Sequence, residues 1–211
     1  MKVKRTIIGA LVLLLMFIIW TLIVCTADVK VIGPNESEVG LATINESIHN
    51  YIGVNMTLYS ITDILSIIPI GLAISFAITG LVQLIRRRSL IKIDRDILCL
   101  GVYYVAVMLF FILFEIFPVN YRPVLIEGTL EASYPSSTTL LVISIMLTAI
   151  TIIRRRIKSK RMMLVVSISV YSFTVFMVIG RFISGVHWFS DIIGGVLLSL
   201  SLVLLFSGIS E

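Results

Sequence analysis

The stretch GRFISGVHWFSDIIGG, residues 180–195, places Arg181, His187 and Asp191 between two long apolar runs. A helix starting near His187 puts it and Asp191, four positions apart, on one face. A carboxylate hydrogen-bonded to one imidazole nitrogen fixes the tautomer and frees the other nitrogen to attack or to accept a proton. Arg181 offers a guanidinium fork suited to phosphate oxygens, and Arg122, followed by Pro123, offers a second on a stiffened loop. YPSSTT at 134–139, which contains Ser136, Ser137 and Thr138, reads as a helix start. Free backbone N–H groups at such a start bind anions. Two arginines, a helix N-terminus and an oriented histidine together describe phosphoryl handling. With His49 and His187 the only histidines, and no cysteine cluster, neither a metal site nor a cofactor is expected.

The elements that must position these groups are membrane spans. The chain has 211 residues, 58% of them hydrophobic, with a mean hydropathy of +1.09 and its apolar residues in blocks. A bilayer core about 30 Å thick takes roughly 20 helical residues to cross. By that measure six spans are expected, at 6–25, 58–85, 97–117, 138–153, 162–180 and 191–208. Helices satisfy their own backbone hydrogen bonds in lipid, so the fold class is all-α, a polytopic bundle forming one domain over 1–211. The first apolar run exceeds the usual 7–15 residues of a signal-peptide core, which favours a retained span over a cleaved signal. In the outer loop, 26–57, the residues Leu41, Ile44, Ile48, Tyr51 and Ile52 recur at helical spacing and suggest a short interfacial helix. Asn35, Asn45 and Asn55 each begin a short glycosylation pattern that often arises by chance.

Lys and Arg concentrate at the start, at 86–95 and at 154–161, which hold 3, 5 and 6 of the 17 basic residues. All three clusters fall on one side of a six-span drawing. The positive-inside rule makes that side cytoplasmic, with both termini there. The net charge of +5 therefore needs no nucleic-acid partner. Arg122, Arg181, His187, Asp191, Glu115, Ser136 and Ser137 come out on the opposite side, at span ends. Ionisable residues at membrane depth are costly and usually face a bundle interior or a watery cavity.

GRFISGVHWFSD has the form R-x5-H-x3-D and resembles the third signature of the type 2 phosphatidic acid phosphatase (PAP2) superfamily. YRP at 121–123 matches the end of the first signature, K-x6-R-P, and PSST at 135–138 sits where the second, P-S-G-H, belongs. The resemblance implies that His187 attacks phosphorus to give a phosphohistidine while Asp191 orients it. It further implies that Arg122 and Arg181 clamp the phosphate, with Ser136, Ser137 and Thr138 completing the cradle.

Three positions depart from that pattern. Glu115 stands in place of the signature lysine, Thr138 in place of the second-signature histidine and Ser137 in place of its glycine. A carboxylate about 4 Å from a phosphate is repelled by several kcal/mol at an effective dielectric near 20. Glu115 must then be protonated, paired with an arginine or turned away; protonated, it is itself a possible acid. Losing general acid catalysis typically costs about 10²–10⁴ in rate. A diphosphate lipid, whose phosphate monoester leaving group has a second pKa near roughly 6, needs that acid least. Asp63 reads as a cap or as partner to a nearby arginine, and Glu127 and Glu131 as solvated loop residues. The expected function is a lipid phosphate or diphosphate phosphatase at the outer face of a multi-pass protein of the plasma membrane. The alternatives are a catalytically impaired relative that binds or moves lipid headgroups, and a purely structural bundle.

Overall fold

The computed structural model describes residues 2–210; Met1 and Glu211, the ends of the expected domain, lie outside the described residues. Eight α-helices follow in order: α1 Lys2–Thr26, α2 Ala42–Ile52, α3 Met56–Leu65, α4 Ile67–Arg87, α5 Arg95–Ile116, α6 Ser137–Arg156, α7 Lys160–Ile183 and α8 Phe189–Ser210. A small antiparallel pair, β1 Lys30–Val31 and β2 Glu38–Val39, lies between α1 and α2. Among the described residues six stretches are long and apolar enough to cross a bilayer: Val3–Thr26, Met56–Arg87, Arg95–Ile116, Ser137–Arg156, Lys160–Ile183 and Phe189–Ser210.

The second of these is two helices, α3 and α4, joined at Ser66. Pro69 explains the break, because its ring opposes the carbonyl four residues earlier, that of Leu65. α3 is therefore a helix separate from α4, and it packs on α7.

α6 and α8 form the interior. Leu140, Ile152, Leu198, Leu202 and Phe206 are buried there, with Leu100, Tyr103 and Val107 of α5 and Phe17 and Val24 of α1 packed against them. Ala10, Phe17 and Val24 recur every seven residues as the buried seam of α1, the spacing of a long helix–helix contact. Ser201 Oγ on α8 donates to the Ala10 carbonyl at 2.9 Å. Ile67, Ile85, Val102, Leu109, Leu164 and Val165, on α4, α5 and α7, are exposed, as residues facing lipid must be.

The basic segments gather at one end of the bundle. Arg95 Nη2 donates to the Ile209 carbonyl at 3.4 Å and Arg155 Nη2 to Ser210 Oγ at 3.2 Å, both at the C-terminus of α8, where the helix dipole favours cations. The N-terminus of α8 lies about 33 Å away at 1.5 Å per residue. The residues singled out for phosphate chemistry collect at that far end.

Candidate functional site

The site is built around the first turn of α8. Trp188 precedes the helix, and Asp191, three residues on, accepts the Trp188 amide N–H on Oδ2 at 2.9 Å. This is the back-reaching half of a capping box, and the negative charge also suits a helix N-terminus. Asp191 Oδ1 accepts from Asn120 Nδ2 at 3.2 Å, and the residue is fully buried. Its carboxylate approaches His187 Nδ1 to only 3.8 Å. That is ion-pair range and too long for a hydrogen bond, so the expected direct bond between them is absent. The oxygen nearest the imidazole is already engaged by the Trp188 amide.

His187 is 3% exposed, and neither ring nitrogen has a hydrogen-bond partner. Burial lowers its pKa to about 4, with the Arg122 and Arg181 charges acting in the same direction and Asp191 opposing. The ring is therefore neutral at pH 7, the form a nucleophile requires. The turn before it depends on Gly185, whose φ of +68° favours glycine. A Cβ there would also collide with the Gly53 carbonyl.

Arg181 closes α7 and is 2% exposed. Its Nη2 donates to Asp63 Oδ1 at 2.7 Å, and its guanidinium carbon lies 4.6 Å from the Tyr59 ring centroid. Nε and Nη1 are buried without partners. Arg122, 9% exposed, sits on the segment between α5 and α6. Its backbone N–H donates to the Glu131 carbonyl at 3.0 Å, and its Nε lies 3.0 Å from Glu131 Oε2. Its guanidinium carbon is 6.0 Å from the same Tyr59 ring, and Nη1 is buried and unpaired. Two cations with unmet N–H groups thus approach one aromatic ring.

Ser136 caps α6, its Oγ accepting from the Thr139 amide at 3.5 Å and its own N–H donating to the Asp191 carbonyl at 3.0 Å. Ser137 and Thr138 begin the helix and are partly exposed. Ser137 shares a cleft of about 230 Å³ with Arg122, Glu131, Glu115, Phe111 and Phe114. Glu115, in the last turn of α5, is exposed. Glu131, read from sequence as a solvated loop residue, is the carboxylate that pairs with Arg122. Asp63 partners Arg181, in line with the reading of it as a nearby arginine's partner.

The structure thus brings Arg122, Arg181, His187, Asp191 and Ser136 together, with Ser137 and Glu115 along the adjoining cleft. Sequence reasoning missed the layer beneath. Asn45, taken only as a glycosylation pattern, is 1% exposed. It donates to the Gly40 carbonyl at 2.8 Å and to Ser190 Oγ at 2.9 Å, and it accepts the Ser190 N–H at 3.1 Å. Asn120 Oδ1 accepts the Gly40 N–H at 3.1 Å. Tyr59 was passed over as well. The available signal was position: each of these polar residues stands near a span end or in a loop beside one.

All three signature segments therefore meet at one end of six spans, and the family description "PAP2 superfamily" matches residues 72–210. The chain belongs to the PAP2 superfamily. Among solved structures it is similar to the crystal structure of the first transmembrane PAP2 type phosphatidylglycerolphosphate phosphatase from Bacillus subtilis. That likeness has a TM-score of 0.64 and 18% identity, and it covers 95% of this chain and 94% of the other. It shows the PAP2 fold of an integral, multi-pass membrane protein. No curated protein matches the chain significantly.

Proposed function

We propose that this PAP2 protein is a lipid phosphate phosphatase that works through a phosphohistidine at His187. The observation that carries the reading is the pair of buried guanidiniums, Arg122 and Arg181, each with unpaired N–H groups, beside a neutral buried imidazole. His187 Nε2 attacks phosphorus and the P–O bond to the lipid breaks, the leaving oxygen departing with the bonding electrons. Water then cleaves the P–N bond, releasing orthophosphate and restoring the imidazole. Arg122 and Arg181 hold the charge that grows on the phosphoryl oxygens, with Ser136, Ser137 and Thr138 at the helix N-terminus of α6 completing the cradle. Glu115 modulates the cleft or, when protonated, supplies the leaving group's proton.

The site faces outward, with both termini cytoplasmic, because it stands at the end of the bundle opposite the basic segments. With Thr138 where the family's histidine acid belongs, the enzyme prefers leaving groups that need little protonation, which points to polyprenyl diphosphates such as undecaprenyl diphosphate. Phosphatidate and phosphatidylglycerol phosphate, the latter named for the Bacillus subtilis relative, are the comparison substrates. Purified protein should release phosphate from the diphosphate lipid about 10²-fold or more faster than from either monophosphate. His187→Ala should lower that release by about 10³-fold or more. Release undiminished in His187→Ala refutes the mechanism.

A second reading, a non-catalytic headgroup binder, is favoured by one observation, the 3.8 Å gap that leaves His187 Nδ1 without a hydrogen bond to the Asp191 carboxylate. It predicts no phosphate release from any of these lipids, together with binding that is lost on replacing Arg122 or Arg181.

A further inference from the structure

We propose that Tyr59 and Asp63, one turn apart on α3, position the two phosphate-clamping arginines. The proposal rests on the phosphate-clamp reading of Arg122 and Arg181 and extends the site to a helix outside the three signatures. Two guanidiniums held near one another repel, and neither has a direct carboxylate bridge to the other. Both approach the Tyr59 ring, whose centroid is 4.6 Å from the guanidinium carbon of Arg181 and 6.0 Å from that of Arg122. An aromatic face is electron-rich and attracts cations within about 6 Å, so one ring serves both. Asp63 then fixes the roll of Arg181 by accepting from Nη2 at 2.7 Å. What remains, Nε and Nη1 of Arg181 and Nη1 of Arg122, is buried and without partners. Phosphate oxygens are the groups that would meet these donors.

The placement of α3 is itself built for this. Asn55 caps the helix by accepting the Leu58 amide at 2.9 Å, and its own N–H donates to the Ser184 carbonyl at 3.0 Å, tying α3 to the turn before His187. One residue before Arg181, Gly180 lets α3 lie flush on α7: a Cβ there would stand 2.8 Å from Thr62 Cγ2. Thr62 cannot readily turn away, because its hydroxyl bonds the Leu58 and Tyr59 carbonyls at 3.0 and 2.9 Å. The break at Ser66 separates all of this from α4.

The test measures orthovanadate affinity by calorimetry on the detergent-solubilised protein, beside KM and kcat for the lipid that turns over best. Tyr59→Leu should weaken vanadate about tenfold and raise KM by a similar factor while kcat changes less than threefold. Tyr59→Phe, which keeps the ring, should restore most of that loss. Asp63→Ala should weaken vanadate about tenfold and Asp63→Asn by less, since the amide oxygen still accepts from Nη2. Gly180→Ala, which lifts α3 without touching either side chain, should reproduce the Tyr59→Leu pattern. Vanadate binding unchanged in Tyr59→Leu overturns the proposal. So does tighter binding in Asp63→Ala, which would make Asp63 a competitor for the clamp. If the wild type binds vanadate but hydrolyses no lipid, the phosphatase reading fails while the affinity series still decides this one. If the wild type binds no vanadate, both fall.

Discussion

At the scale of single residues, the protonation of His187 governs what the site can do. Its pKa is lowered from an ordinary value near 6.5 to about 4, first by burial and then by the two arginines. The acidic limb of kcat/KM should therefore lie near pH 4, where an exposed histidine would place it near 6.5. Asp191 acts the other way, so Asp191→Asn should move that limb lower still. A stability effect follows with a definite sign. Between pH 6.5 and 4 the unfolded chain takes up a proton that folded His187 refuses, so the folded state loses stability as pH falls through that window. Thermal midpoints of the wild type against His187→Gln across pH 4–7 should show the wild type falling more steeply. The spacing of Arg181, His187 and Asp191 was readable because a motif is a statement about chain positions. The 3.8 Å gap between His187 and Asp191 was not. It arises from competition for one carboxylate oxygen by the Trp188 amide, and no spacing rule records which donor wins.

At the scale of elements, the apolar runs were legible because a bilayer demands length and hydropathy together. The outer loop was less so. The periodic residues there include Ile44 and Tyr51, which are 50% and 92% exposed, whereas Asn45 on the same helix is 1% exposed. Around a membrane, apolar side chains turn toward lipid and polar ones turn inward to find partners. A hydrophobic stripe then marks the wrong face for locating a protein contact. Asn45 joins α2 to the start of α8 through Ser190. Asn45→Ala leaves the Ser190 N–H and the Gly40 carbonyl short of a partner, at a cost of about 1–3 kcal/mol. Thermal unfolding in detergent should show that loss, with Glu46→Ala on the exposed side of α2 showing little change. The break at Ser66 was also unread, although Pro69 carries the signal for it.

At the scale of the whole molecule, the site and the basic segments stand at opposite ends of the bundle, and charge sets orientation. The arrangement was visible in the distribution of Lys and Arg alone; which helices touch was not, because lipid-facing surfaces mask pairing preferences. A test of orientation replaces Cys25 and Cys99 with serine and adds one cysteine. In intact cells a membrane-impermeant maleimide should label Glu46→Cys, while Lys158→Cys should react only after lysis. The reverse pattern would turn the topology over. The seam between α1 and α8 has a consequence of another kind. Trp20 Nε1 of α1 donates to the Ser190 carbonyl at 3.1 Å, and Thr21 Oγ1 lies 2.7 Å from the Tyr134 hydroxyl. The earliest of these helices to leave the ribosome therefore braces the turn that carries the last of the signature residues. Without α8 the chain would lack Asp191 and the Ser190 carbonyl that Trp20 engages, so α1 and the third signature depend on one another for their placement.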